Sequence, residues 1–142
     1  MFGLFRSKED VKKHNHLINL VALAKSDGRI DEKEIDLLQK IAKQNGISDK
    51  SFKAILETSD PLDIDISIAK EKRLGQLYDF IEMMLIDDVV SDSEYKFCID
   101  VAEKLNFSSK NIPTLVNQMM ERIKKGESKD DVCNAVEGLV EY

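Results

Sequence analysis

Residues 17–48 read LINLVALAKSDGRIDEKEIDLLQKIAKQNGIS, and residues 77–108, which align with them without a gap, read LYDFIEMMLIDDVVSDSEYKFCIDVAEKLNFS. Apolar residues recur at helical spacing in both stretches, and an acidic segment interrupts the spacing at the same place. The identical pairs are Leu17/Leu77, Asp27/Asp87, Glu34/Glu94, Ala42/Ala102 and Ser48/Ser108. This pattern predicts two copies of one helix hairpin, each unable to bury its apolar face alone.

The segment between the two helices of each hairpin is rich in carboxylates. We call residues 27–34, DGRIDEKE, the first acidic turn, and residues 87–94, DDVVSDSE, the second acidic turn. Gly28 can adopt the left-handed conformation that ends a helix. Asp31 can accept hydrogen bonds from the first-turn amides of the next helix, and Ser91 with Glu94 has the spacing of a capping box. Each turn is therefore expected to end one helix and begin another.

Caps, glycines and apolar spacing extend this interpretation to the whole chain. Gly46 and Gly126 are expected to end helices, and Ser48 and Ser128 to cap the helices that follow. The predicted helices lie near residues 8–26, 32–45, 49–57, 68–87, 92–105, 111–125 and 129–141. With 142 residues, 42% of them hydrophobic and 34% charged, residues 1–142 are expected to form one all-α domain, with the repeat units 17–48 and 77–108 packed pseudo-symmetrically as one bundle.

Composition argues against several classes of protein. A net charge of −6 disfavours nucleic-acid binding, which depends on neutralising phosphates with Lys and Arg. No apolar run is long enough to span a bilayer, and residues 1–6 do not resemble a secretory signal, so a cytoplasmic location is expected. Residues 1–13 place apolar side chains before basic ones, which fits either a membrane-surface or partner-docking segment, or an end that is frayed or folded onto the core.

The usual catalytic and zinc-binding side chains show no productive spacing. Cys98 and Cys133 lie in apolar helical runs and are expected to be buried and structural. His14 and His16 point in different directions on a helix, so they are expected at the surface and not around a shared metal. No phosphate-binding loop or nucleophile motif is present, and the chain is expected not to be an enzyme.

The first acidic turn resembles the second half of a calcium-binding EF-hand loop, with Asp27, Asp31 and Glu34 at ligand positions. Leu23 and Lys25 would then occupy two earlier positions that require oxygen ligands. The second copy has Met83 and Leu85 there. A standard EF-hand is therefore rejected.

A cation site that differs from an EF-hand is an alternative interpretation of these carboxylates. Asp27 and Asp87 come at the predicted C-terminal ends of helices, where the helix dipole disfavours an acid by about 0.3–1 kcal/mol. The compensating partner could be the amides of the next helix, a basic side chain, or a divalent cation shared by the two turns. The candidate metal ligands are Asp27, Asp31, Glu34, Asp87 and Glu94.

Residues 24–34, AKSDGRIDEKE, resemble the signature of the tellurite-resistance TerB family, and residues 84–94 resemble a degenerate second copy in which Asp88 replaces the usual glycine. The resemblance covers about residues 10–125. It implies a fold of about seven helices with a pseudo-two-fold axis, and cytoplasmic or membrane-associated complexes linked to metal and stress responses. It also implies that the clustered acids bind a cation. Related domains are similar to the N-terminal part of a membrane-anchored DnaJ-type co-chaperone.

Two functions follow as expectations. The first is a non-enzymatic, TerB-like interaction module that binds protein partners, serves a stress response and is tuned by a divalent cation. The alternative is a metal-binding protein or metal-dependent enzyme that uses the carboxylates of the two acidic turns.

Overall fold

The computed structural model describes residues 8–25, 30–57, 70–86 and 89–140. In these ranges the chain is all-α, as predicted, with seven α-helices, one short 3-10 helix at Glu137–Leu139 and no strand. The α-helices are α1 (Lys8–Ala24), α2 (Glu32–Gln44), α3 (Asp49–Leu56), α4 (Lys70–Met84), α5 (Asp92–Lys104), α6 (Ile112–Lys124) and α7 (Lys129–Val136). Each of the seven lies where the sequence places a helix.

The chain divides into two compact units, Met1–Ile64 and Asp65–Tyr142. The first contains α1 to α3 and the second contains α4 to α7. Each unit is described by itself, and the expectation of one domain over residues 1–142 stays a prediction.

In the first unit, α1 packs against both α2 and α3. Its buried face has the predicted helical spacing, since Leu17, Leu20, Val21 and Ala24 are all buried. On α2, however, Leu37 is buried while Ile35 is only half-buried. The buried face of α2 therefore includes Leu37 but only part of Ile35.

In the second unit, α4 is the central helix and contacts α5, α6 and α7. The apolar side chains of α4 that recur at helical spacing are buried at Leu74, Leu77, Phe80, Ile81 and Met84. Helices on more than one side of α4 also bury Tyr78, Asp79 and Met83. A single apolar stripe therefore describes α4 incompletely.

The helices α2 and α5 end in the same way. Gly46 and Asn106 follow them with φ of +71° and +70°, the left-handed region that favours Gly and tolerates Asn. The next amide then reaches back to the last turn, from Ile47 to the carbonyl of Ala42 at 2.9 Å in one copy. The corresponding bond runs from Phe107 to Ala102 at 3.2 Å. Both ends are Schellman motifs, which satisfy carbonyls that the helix leaves without partners.

The predicted N-caps of α3 and α7 are confirmed. Ser48 Oγ accepts a hydrogen bond from the amide of Ser51, and Ser128 Oγ accepts one from the amide of Asp131, both at 3.2 Å. Pro113 lies in the first turn of α6, where a missing N–H is tolerated. The expected helix stop at Asp27-Gly28 lies outside the described residues.

No helix of the described ranges combines the length and the apolar character needed to cross a membrane. Residues 1–7 of the basic and apolar N-terminal segment lie outside these ranges.

Candidate functional site

The first acidic turn ends in a complete capping box at the start of α2. Glu34 donates its backbone N–H to Asp31 Oδ1 at 2.9 Å, and Asp31 donates its backbone N–H to Glu34 Oε1 at 3.0 Å. The two side chains thus satisfy two helix amides that have no partner within the helix. Glu34 is only 2% exposed, whereas Asp31 is exposed. The sequence predicted the cap at Asp31 but not the burial of Glu34.

The second acidic turn ends in the same arrangement at the start of α5. Glu94 donates its backbone N–H to Ser91 Oγ, and Glu94 Oε1 accepts both the N–H and the O–H of Ser91, all at 3.1 Å. Glu94 is 3% exposed. The predicted capping box is confirmed here. The two turns therefore differ in the capping residue but use a buried glutamate for the same purpose.

This geometry gives three of the predicted metal ligands, Asp31, Glu34 and Glu94, a role in helix capping. Glu34 and Glu94, at 2% and 3% exposure, are buried against the helix starts that they cap. Asp27 and Asp87 lie outside the described residues. Among the residues that are described, no three His, Cys, Asp or Glu side chains come together as a metal site would require. The five-residue set stays a prediction.

Lys25 has a defined role that the sequence did not indicate. It lies two residues before the first acidic turn, and its Nζ donates to the backbone carbonyl of Leu56 at 2.7 Å. Leu56 is the last residue of α3, where a cation interacts favourably with the helix dipole. Lys25 therefore joins the end of α1 to the end of α3. The aligned residue of the second copy is Leu85, which cannot make this bond.

Helices α4 and α7 are joined by an ion pair that the sequence also did not indicate. Lys129 Nζ lies 3.0 Å from Asp79 Oδ1, and the Asp79 side chain is only 8% exposed against 45% for Lys129. The same ammonium lies 5.6 Å from the ring centroid of Tyr78, within cation–π range. A Cβ at Gly75 would lie 3.5 Å from Lys129 Cε. The side chain of Lys129 therefore packs closely against α4 at this glycine.

The thiols and the tyrosine near these helices are held protonated at neutral pH. Burial, followed by the nearby Glu94, raises the pKa of Cys98 to about 12, and Cys98 Sγ donates to the carbonyl of Phe80 at 3.6 Å. Burial, followed by Glu82, Asp79 and Cys133, raises the pKa of Tyr78 to about 12. Burial also raises the pKa of Cys133, and Lys129 only partly opposes the effect. None of the three is activated as a nucleophile.

Two expectations about single residues need correction. Cys98 is buried as predicted, but Cys133 is only half-buried. His16 was expected at the surface and is instead 7% exposed. It lies one position before Leu17 and three before the buried Asn19. The buried face of α1 is therefore wider than its apolar residues alone indicate.

The second acidic turn carries the most exposed large apolar side chain of the described residues. Val89 is 71% exposed, and Val11 of α1, at 45%, is the other exposed large hydrophobic residue in these ranges. The aligned residue of the first turn is Arg29. Val89 lies two residues before the N-cap Ser91, whose backbone is fixed by the capping box. The exposed side chain of Val89 therefore lies close to the capped N-terminus of α5.

No protein-family model, no curated protein and no solved structure matches this chain.

Proposed function

We propose that this protein is a non-enzymatic interaction module, TerB-like in its fold, that binds a protein partner through the second acidic turn. The observation that carries the proposal is Val89, which is 71% exposed within a segment otherwise dominated by acidic and small polar residues. An exposed apolar side chain in a segment whose sequence is rich in carboxylates suits a partner that offers an apolar pocket rimmed by basic residues.

The proposal also includes a duplicated architecture. We propose that residues 17–48 and 77–108 are copies of one helix hairpin. The support is local and repeated: α2 and α5 begin at capping boxes with a buried glutamate and end at left-handed residues, Gly46 and Asn106. Matching caps at both ends of matching helices favour duplication over chance similarity of apolar spacing.

A divalent cation bound by the acidic turns would tune this module, with Asp27, Asp31, Glu34, Asp87 and Glu94 as the candidate ligands. The stress-related role and the cytoplasmic location are proposed from the TerB resemblance.

Affinity capture from the cells that produce the protein tests the partner proposal. The full chain is compared with Val89→Ser and with the matched control Val11→Ser, since both valines are the exposed large apolar residues of the described ranges. We expect a partner that is retained by the wild type and by Val11→Ser and is lost with Val89→Ser. Equal capture by all three proteins, or no captured protein, would overturn the proposal.

A further inference from the structure

We draw no further inference here: the strongest candidate, the side-chain cluster in which Lys129 of α7 contacts Tyr78 and Asp79 of α4, is one ion pair beside a single half-buried cysteine, Cys133, and nothing in the described residues points to a ligand for it.

Discussion

Asp31 and Glu34 hold each other in place: the side chain of each accepts the backbone N–H of the other, at 2.9 and 3.0 Å. Glu34 is thereby buried at the end of the first acidic turn although it carries a carboxylate. The pair fixes where α2 begins, and with it the direction in which the chain leaves the turn. Ser91 and Glu94 do the same for α5.

The first prediction separates the shape of the glutamate from its charge. Glu34→Ala removes the capping bond and leaves a gap, so it should lower the free energy of unfolding by about 1–2 kcal/mol. Glu34→Gln keeps a side-chain acceptor at the same capping position and should cost no more than about 0.5 kcal/mol. Urea denaturation followed by circular dichroism measures both. Equal losses for the two variants would mean that charge, not capping, holds Glu34 in its buried position.

The second prediction concerns the ion pair between α4 and α7. Lys129→Met leaves the nearly buried Asp79 without this cation and should lower the free energy of unfolding by about 1–2 kcal/mol. The 45% exposure of Lys129 keeps the loss below that of a fully buried pair, because solvent screens the attraction.

A matched control exists on α5, where Lys96 pairs with Asp100 at 3.4 Å and both side chains are exposed. Lys96→Met should change the free energy of unfolding by no more than about 0.5 kcal/mol. Thermal denaturation at low and at high salt compares the variants. If Lys96→Met proves as costly as Lys129→Met, the burial of Asp79 does not strengthen its ion pair.

The third prediction is a loss of stability at alkaline pH. Because the pKa of Tyr78 is raised from 10.0 to about 12, the folded state holds this proton more tightly than the unfolded state does. The stabilisation is complete below about pH 10 and is lost as the pH rises to about 12. Tyr78→Phe removes the titrating group, so its free energy of unfolding should fall less steeply than that of the wild type over this range. Denaturation curves at several alkaline pH values measure the difference, and parallel declines would contradict it.

Local patterns predicted the seven α-helices of the described residues. Helix starts at Asp31, Ser48, Ser91 and Ser128 follow from a short side chain that accepts an amide a few residues later, which is visible in sequence. Helix ends at Gly46 and Gly126 follow from the conformational freedom of glycine. The apolar spacing then indicates the main buried side of α1 and α4, although both helices also bury polar side chains such as His16 and Asp79.

Long-range contacts could not be predicted in this way. Lys25 and Leu56 are 31 residues apart, and Lys129 and Asp79 are 50 apart, so no local spacing links them. The burial of His16 likewise depends on what surrounds α1 and not on its neighbours in sequence. For the candidate site, sequence indicated the glutamates of both acidic turns, but the exposure of Val89 required coordinates.

The fourth prediction tests the cation. Titration calorimetry of the full chain with calcium, magnesium, manganese and zinc chlorides at millimolar concentration should give heat of binding with at least one of these ions. The double variant Asp27→Asn with Asp87→Asn should abolish that heat, since carboxylate oxygens are the ligands that hard cations prefer.

Asp36→Asn serves as the control for the double variant, because Asp36 is an exposed acid of α2 outside both turns. It should bind the cation as the wild type does. An absence of heat with all four ions would remove the cation from the proposal, as would undiminished heat in the double variant. Either result would leave the proposal of partner binding unchanged, because the variants at Val89 test that proposal separately.

Partner binding at the second acidic turn is tested most directly by photo-cross-linking in the cells that produce the protein. A benzophenone-bearing amino acid replaces Val89 in one variant and Val11 in the other, and cross-linked products are identified by mass spectrometry. We predict a discrete cross-linked protein from position 89 that is absent from position 11. The same products from both positions, or none from position 89, would contradict binding at this turn.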